Sequence, residues 1–365
     1  MAEQKPLVLV TAGGTGGHVY PALAVALELL ARGYRVEWVG TRAGLEHRVV
    51  PAAGITLHCL PVQGIRGKSA WHRLRAVFSL LRAQLGALWL LLRRRPACVV
   101  GMGGYAAGPA GMAAWLLRKP LLIHEQNAVA GTTNRMLSRF ARRVMGAFPG
   151  AFPGGLDYRV VGNPLRRELI EAGARAGYDY DGRRPLRLLV LGGSLGAQPI
   201  NEVLPGMVRR LNRDGGAALE IWHQAGEAHY DALRRRYADM LGEEIRVAPF
   251  IEDMAAAYQW ADLVLCRAGA LTVSELAVMG RPSILVPLPH AIDDHQTANA
   301  RSLTARGAAL VMLQSQLDAY MLGALLREFM THPERLAAMA RAAREAATPL
   351  AAAQVSDCCE ELLDG

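Results

Sequence analysis

A glycine-rich turn near the start of the chain is the feature that most constrains its fold. The apolar run Leu7-Val8-Leu9-Val10 leads into Gly13-Gly14-Thr15-Gly16-Gly17-His18 and then into a helical pattern that opens at Pro21. Four glycines within five residues let a backbone turn sharply and let another group approach closely. The first amide groups of a helix are unpaired and carry partial positive charge, so the turn predicts an anion site with phosphate as the obvious guest.

Two interpretations of this turn remain open at the level of sequence. Such turns also occur where a fold needs tight packing, and this one is neither the dinucleotide fingerprint nor the P-loop, because no Lys-Ser/Thr pair follows. His18 gives a sharper indication. The positive end of a helix favours a neutral imidazole, which could accept a proton from a substrate. The alternative is a histidine that only hydrogen-bonds the turn.

Length and charge narrow the class of protein. A chain of 365 residues favours two domains, and its 52% hydrophobic and 20% charged residues indicate a globular protein. The net charge of +9 suits nucleotide phosphates, other polyanions or an acidic membrane surface. Five scattered cysteines predict neither a disulfide framework nor a zinc site, so we expect a reducing cytoplasm and no export.

The first half of the sequence alternates short apolar runs with helical patterns. This alternation predicts βα units and a parallel sheet, whose ligands bind beyond the carboxyl ends of the strands. Three predicted strand ends carry glycines or polar residues, namely Gly13–His18, Gly101-Met102-Gly103-Gly104-Tyr105 and His124-Glu125-Gln126-Asn127. We therefore expect these three turns to converge at one edge of the sheet and to form a site.

Residues 69 to 95 form a long helical pattern with an apolar face. Trp71, Leu74, Phe78, Leu81 and Leu85 recur at helical spacing, and arginines at positions 73, 75 and 82 interrupt on other faces. This composition is typical of a helix that lies in a membrane interface. A crossover helix also needs an apolar face for its own sheet, so both interpretations stay open. The longest apolar stretch, Leu85 to Leu92, is shorter than the roughly 18 residues that a spanning helix needs.

The second half appears in the sequence as a repeat of the first. Residues 165 to 185 are rich in Arg, Gly, Asp and Ala and predict a connector. The run Leu186–Leu191 then leads into Gly192-Gly193-Ser194-Leu195-Gly196-Ala197 and a helix from Pro199. Further on, Thr272-Val273-Ser274-Glu275 has the spacing of a capping box. The same helix start could instead hold a diphosphate, with Glu275 accepting two hydroxyl protons from a ribose diol.

Five motifs together resemble the MurG family of peptidoglycan N-acetylglucosaminyltransferases. They are Gly13–His18, Gly101–Tyr105, His124–Asn127, Gly192–Ala197 and Arg267–Glu275, in the order that the family shows. The resemblance implies an α/β GT-B fold of two Rossmann-like domains with parallel sheets that face each other across a cleft. It implies an acceptor- and membrane-binding domain at residues 1–164, a UDP-sugar-binding domain at 165–340 and a C-terminal helix within 341–365 that packs back on the first domain.

The resemblance also implies the reaction and its partners. The family transfers N-acetylglucosamine from UDP-N-acetylglucosamine to the 4-hydroxyl of the muramoyl sugar of lipid I, the undecaprenyl-pyrophosphoryl-muramoyl-pentapeptide, with inversion at the anomeric carbon. The product is lipid II, for peptidoglycan synthesis. A lipid-linked acceptor implies a peripheral protein on the cytoplasmic face of the bacterial inner membrane, bound to its anionic inner leaflet. No nucleic acid is implied as a partner.

Site residues follow from the resemblance by position. In the second domain, backbone groups of Ile251 would read uracil, Glu275 the ribose and Gln296 the sugar hydroxyls. Ser194 and the helix start Ala270-Leu271-Thr272, continuing into Val273 and Ser274, would hold the diphosphate, and Arg166 would add charge there. Thr15, Gly16, Gly17 and Asn127 would close on the sugar from the first domain. Acceptor or membrane contacts are implied for Gly103, Gly104, Tyr105, Trp71, Phe78, Leu81 and Trp115. The family often has Gln-Gln where this chain has His295-Gln296.

Transfer requires a base, a positioned acceptor and a stabilised leaving group. His18 is our candidate for the base, with Glu125 as the second candidate. The sequence has no Asp-x-Asp motif at a strand end to hold a metal, so we expect no metal cofactor and a magnesium-independent reaction. The competing interpretations are another GT-B enzyme that uses a UDP-sugar and a different lipid acceptor such as diacylglycerol, a UDP-sugar epimerase, and a basic module that binds membranes or nucleic acid.

Overall fold

The computed structural model describes residues 5–62, 70–193, 195–213, 219–240, 242, 244–289 and 294–364, with the backbone alone for residues 70–77. The chain forms two compact units. The first comprises Met1–Arg166 together with Pro349–Gly365, and the second comprises Arg167–Thr348.

A parallel sheet of seven strands lies at the centre of the first unit. Its order is β3-β2-β1-β4-β5-β6-β7. The strands are β1 Leu7–Thr11, β2 Arg35–Gly40, β3 Thr56–Cys59, β4 Cys98–Gly101, β5 Leu121–Glu125, β6 Arg143–Gly146 and β7 Arg159–Val160. The helices between them are α1 Gly16–Ala31, α2 Glu46–Ala52, α3 Ala70–Arg94, α4 Ala107–Leu116 and α5 Thr132–Leu137.

The second unit is built on a parallel sheet of six strands in the order β10-β9-β8-β11-β12-β13. These are β8 Leu186–Leu191, β9 Leu219–Gln224, β10 Ile245–Ala248, β11 Leu263–Cys266, β12 Ser283–Leu285 and β13 Ala309–Val311. Its helices are α6 Arg167–Arg175, α7 Gln198–Arg213, α8 Tyr230–Arg236, α9 Met254–Trp260, α10 Ala270–Met279, α11 His295–Thr304, α12 Ala319–Thr331 and α13 Pro333–Glu345. The last helix, α14 Ala351–Asp364, belongs to the first unit.

The two sheets share one topology. In each, the first strand of the unit pairs with the second strand on one side and with the fourth on the other, so the strand order reverses at β1/β4 and again at β8/β11. The prediction of two α/β units of the same architecture is confirmed. Ligands of such sheets bind where the order reverses, beyond the carboxyl ends of the strands. The glycine turns after β1 and β8 both lie at these points.

Alternating side chains of the first sheet pack against two helical layers. Val8 and Val10 of β1 belong to the core under α1 and α14, and Leu9 belongs to the core under α3 and α4. Because successive residues of a strand point to opposite faces, one apolar run serves both layers. The result is a three-layer unit that holds the strand ends rigidly.

Helix α14 docks on the first unit through side chains spaced at helical intervals. Val355, Cys358, Cys359 and Leu362 are buried in the same core as the inner face of α1. Arg32, directly after α1, also joins the two helices through ion pairs to Asp357 and Glu360 of α14, at 2.7 Å each.

The unit boundaries differ slightly from those expected from the sequence. The second unit extends to Thr348 because α13 runs unbroken through position 340. Arg166, which we placed in the second domain, is the last residue of the first unit before the chain passes on to α6.

Two local predictions were wrong, and one short strand was missed. Helix α1 begins at Gly16 and not at Pro21, because Thr15 takes the extended N-cap conformation and the two following glycines are already helical. The predicted connector contains α6, whose Leu169, Ala172 and Gly173 are buried. The short strand β7 was not predicted.

Candidate active site

Three turns meet at the carboxyl ends of β1, β4 and β5, as the sequence predicted. Gly103 and Gly104 follow β4 with positive φ angles of +88° and +83°. A Cβ atom on Gly104 would lie 2.2 Å from the carbonyl oxygen of Gly13, and one on Gly103 would lie 2.8 Å from Nδ1 of His18. Glycine is required at both positions because a side chain would force the turns apart.

A buried carboxylate holds the first glycine turn from below. Glu46 is fully buried, and its Oε2 accepts a hydrogen bond from the amide of Gly14 at 3.0 Å. Its Oε1 accepts from the amide and the hydroxyl of Thr41, at 2.8 and 2.7 Å. A Cβ on Gly13 or Gly44 would lie 2.7 or 2.0 Å from an oxygen of this carboxylate. Sequence analysis missed Glu46, since nothing in its local pattern shows that it points into the turn.

His18 lies in the first turn of α1 and is partly exposed. Its Nδ1 is 2.7 Å from Oε1 of Gln126, the residue after the β5 motif's glutamate. Gln126 is fully buried and its Nε2 approaches Nδ1 of His124 at 3.2 Å. The candidate base therefore sits at the exposed end of a hydrogen-bonded chain that enters the core.

Glu125, the second candidate for the base, is fully buried and holds the following loop. Its Oε1 accepts from the backbone and side-chain amides of Asn127, at 2.9 and 3.1 Å. Its Oε2 accepts from the amide of Gly131 at 3.1 Å and from Nδ2 of Asn134 at 2.9 Å. Four donors occupy the lone pairs that a base would use. This geometry favours His18 over Glu125 as the candidate base.

The other expected residues of the first unit lie around these turns. Thr15 and Gly17 are exposed, Gly16 is partly buried, and Asn127 is fixed by Glu125. Tyr105 is exposed directly after the two glycines of the β4 turn. The guanidinium of Arg166 lies over the ring of Tyr20, 5.3 Å from its centroid, so its charge is held beside α1.

In the second unit, a buried glutamine joins the glycine turn after β8 to the loop after β10. Nε2 of Gln224 donates to the carbonyl oxygen of Gly193 at 2.9 Å, and its Oε1 accepts from the amide of Ile251 at 3.0 Å. The amide of Ile251 is thus engaged within the protein. Ser194 lies outside the described residues.

The start of α10 differs from the predicted capping box. Gly269 is the N-cap, the helix begins at Ala270, and Thr272 lies within the first turn, so the Thr272–Glu275 capping box is wrong. Glu275 instead accepts a hydrogen bond at its Oε2 from the hydroxyl of Tyr258, at 2.9 Å. Tyr258 is fully buried, and it therefore orients the carboxylate that we expect to read a diol.

Two further side chains shape the loop after β12. Arg267 donates to the carbonyl oxygens of Val286 and Pro287, at 3.1 and 3.3 Å, and burial lowers its pKa. Gln296, in the first turn of α11, accepts from the amide of Leu288 at 2.9 Å. Both residues fix the backbone beside the start of α10. Arg267 was quoted in a motif but given no role from sequence.

Helix α3 exposes a long apolar face. Phe78, Leu81, Leu85, Trp89 and Leu92 are between 59% and 69% exposed, whereas Ala83, Ala87, Leu90 and Leu91 form its buried face. Trp115 of α4 is also exposed, and its ring packs at a tilt against that of Phe140, with 4.7 Å between the ring centroids. The packing of α3 on its sheet thus uses a different face from the aromatic one. The Trp71 side chain lies outside the part of the chain that the structure describes.

Two other kinds of site are absent from the part of the chain that the structure describes. Among these residues, no three His, Cys, Asp or Glu side chains group in a way that could hold a metal ion. None of the described helices combines the length and the hydropathy that a membrane span requires.

Known families match both units of the chain. The glycosyltransferase family 28 N-terminal domain matches residues 8–146, and the glycosyltransferase family 28 C-terminal domain matches residues 187–355. Curated relatives match along the whole length. A UDP-N-acetylglucosamine–N-acetylmuramyl-(pentapeptide) pyrophosphoryl-undecaprenol N-acetylglucosamine transferase of Pseudomonas putida (strain W619) is 51% identical, with all of both chains covered. The transferase of the same name from Ectopseudomonas mendocina (strain ymp) is 52% identical over 98% of this chain and 99% of its own.

Solved structures agree. The crystal structure of Acinetobacter baumannii MurG has a TM-score of 0.80 and 42% identity, over 98% of this chain and 99% of its own. A putative UDP-N-acetylglucosamine 2-epimerase from Listeria monocytogenes, with a TM-score of 0.70, is 16% identical over 99% of this chain and 97% of its own, so it shares the fold alone. The chain therefore belongs to glycosyltransferase family 28 and, within it, to the GT-B N-acetylglucosamine transferases of the MurG type.

Proposed function

We propose that this protein transfers N-acetylglucosamine from UDP-N-acetylglucosamine to the 4-hydroxyl of the muramoyl sugar of lipid I and so forms lipid II. The observation that carries the proposal is the full-length identity of 51% to a curated transferase whose name states this donor and this acceptor. The strand-end turns, which lie at equivalent points of the two sheets, support it.

The second unit supplies the donor site in this proposal. The turn after β8 and the start of α10 flank the point where the strand order reverses, and amides at such positions favour a diphosphate. The Ile251 carbonyl would read the uracil edge, Glu275 the ribose diol and Gln296 the sugar hydroxyls. Backbone groups and arginine charge would stabilise the departing UDP.

The first unit supplies the acid–base chemistry in this proposal. Nε2 of His18 removes the proton of the acceptor hydroxyl, whose oxygen attacks the anomeric carbon from the face opposite UDP. The bond from that carbon to the diphosphate oxygen breaks, and UDP leaves with the electron pair. Glu125 holds the loop that carries Asn127, and the glycines at 103 and 104 let the turn after β4 pack closely against Gly13 and His18.

Membrane association is the remaining part of the proposal. The exposed face of α3 carries Phe78, Leu81, Leu85, Trp89 and Leu92, and the exposed Arg82 and Arg93 lie on the same helix. Arg93 packs over the ring of Trp89, 5.1 Å from its centroid. An apolar face edged by arginines fits an anionic leaflet, where lipid I would be presented. The site would then lie at the cytoplasmic face of the inner membrane.

The transfer reaction tests the proposed function and the base together. Wild-type protein should move radiolabel from UDP-N-acetylglucosamine to a lipid I analogue, and His18→Ala should lower kcat by about 10²–10⁴-fold with the KM for the donor little changed, because proton removal is lost while donor contacts remain. His47→Ala, an exposed histidine of α2, is the matched control. Transfer to diacylglycerol but not to the lipid I analogue would contradict the acceptor, and near-normal turnover by His18→Ala would contradict the base.

Tyr258→Phe tests the assignment of Glu275 to the donor. The change removes the hydroxyl that orients the Glu275 carboxylate, so the affinity for UDP, measured by titration calorimetry, should fall by about tenfold or more, the worth of one hydrogen bond to a charged group. Tyr237→Phe is the control, since that buried hydroxyl contacts His223 instead. Equal losses in both variants would mean a general effect on the unit and would count against the assignment.

Serine substitutions on α3 test the membrane surface. Phe78→Ser, Leu81→Ser and Leu85→Ser combined should weaken binding to anionic vesicles at least tenfold in a sedimentation assay, because exposed apolar area that would enter the interface is lost. Transfer to a soluble acceptor should be unchanged. Leu27→Ser with Leu350→Ser, exposed apolar residues elsewhere in the same unit, is the control pair. Vesicle binding equal to that of the wild type would contradict a role of the α3 face in membrane binding.

A further inference from the structure

The buried series of hydrogen bonds behind His18 begins at the backbone carbonyl of Gly162. Nε2 of His124 lies 2.9 Å from the carbonyl oxygen of Gly162. A carbonyl oxygen only accepts hydrogen bonds, so Nε2 of His124 carries a hydrogen and donates. His124 is fully buried, and burial lowers its pKa to about 4, so the ring is neutral near pH 7. Nδ1 of His124 is therefore an acceptor.

The acceptor on His124 sets the orientation of the Gln126 side chain. One end of the Gln126 amide lies 3.2 Å from Nδ1 of His124 and 3.1 Å from the carbonyl oxygen of His124. Both of these atoms are acceptors, so the NH₂ group of Gln126 must face them, and a flipped amide would place oxygen against two acceptors. The remaining atom, Oε1 of Gln126, then faces His18 at 2.7 Å.

We infer that Gln126, oriented by His124, is a positioning residue that holds neutral His18 as its Nδ1–H tautomer and so leaves the lone pair of His18 on Nε2. Oε1 of Gln126 accepts only, so Nδ1 of His18 must donate to it. The inference deepens the proposed function and rests on it for one point, the identity of the hydroxyl that Nε2 deprotonates. The tautomer itself depends on the protein alone.

The surrounding contacts keep this chain in place. Nδ2 of Asn163 donates to the backbone carbonyl of Gln126 at 3.1 Å, and Nδ2 of Asn134 donates to the carbonyl of His124 at 3.1 Å. Gly103 closes the site beside Nδ1 of His18, where a side chain would displace the ring. The imidazole is thus bounded on the side of Nδ1 by the turn and by Gln126.

The arrangement suits a base that must accept one proton and keep its position. When Nε2 takes the proton of the hydroxyl, the ring becomes an imidazolium whose Nδ1–H still donates to Gln126. The side chain of Gln126 is an amide and takes up no proton. The positive charge therefore stays on His18 until the proton passes to solvent or to product. A histidine free to adopt the Nε2–H tautomer, which imidazoles ordinarily prefer, would present a hydrogen and not a lone pair to the substrate.

Nitrogen NMR of the free, full-length protein tests the inference directly. In protein labelled with ¹⁵N-histidine and held at a pH where the rings are neutral, His18 should show a pyrrole-like Nδ1 and a pyridine-like Nε2, with its signals identified by their loss in His18→Asn. Gln126→Met should shift His18 towards the Nε2–H form, and kcat should fall at least tenfold with the donor KM unchanged. Gln354→Met on α14 is the matched control and should behave like the wild type.

The outcomes separate this inference from the proposed function. A wild-type His18 with the hydrogen on Nε2 overturns the inference whatever the protein catalyses, and so does an unchanged Nδ1–H signal in Gln126→Met. If Gln126→Met does not fold, the tautomer of His18 in the wild-type protein still decides. Failure of transfer to the lipid I analogue would overturn the acceptor while leaving the tautomer result standing.

Discussion

The first unit depends on the close approach of two backbones at the edge of its sheet. Gly104 lies so near Gly13 that a Cβ would stand 2.2 Å from a carbonyl oxygen, and the Glu46 carboxylate supports the same turn from within the core. Strands β1 and β4 are neighbours, so their following turns must share the space where the strand order reverses. Glycine at positions 103 and 104 lets the turn after β4 pack against the turn after β1, and the His18 side chain lies beside Gly103.

One topology carries different chemistry in the two units. In the first, the strand-end turns bring together His18, Gln126 and the buried Glu125, a set suited to moving a proton. In the second, the corresponding turn and the start of α10 bring amides together with Glu275, a set suited to an anion and a diol. The strand order explains why both sets lie at equivalent points, and the side chains explain why their roles differ.

The sequence predicts the sheets well and the positioning residues poorly. Apolar runs and glycine turns are local signals, so the strands around Leu186–Leu191 and the three converging turns could be foreseen. Glu46 and Tyr258 act through contacts with residues distant in the sequence, and no local pattern marks them. Gln126 lies in a predicted turn, but its contact with His18 joins residues 108 positions apart and could not be foreseen. Helix α6 was missed because its glycine indicated a linker, whereas a Cβ on Gly173 would lie 2.5 Å from the carbonyl of Val278 on the packed helix α10. The capping box failed because Gly269 already caps α10 three residues before Thr272, the N-cap that this spacing assumed.

The central claim is that His18 removes the acceptor proton, and that Glu125, whose carboxylate already accepts four hydrogen bonds, does not. Chemical rescue under single-turnover conditions tests it most directly, with His18→Ala assayed in imidazole and Glu125→Ala in formate. We expect the rate of His18→Ala to rise with the concentration of neutral imidazole. Formate should leave the rate of Glu125→Ala unchanged, because this variant loses hydrogen bonds that hold a loop and does not lose a base. A rate restored by formate in Glu125→Ala, with no response of His18→Ala to imidazole, would contradict it.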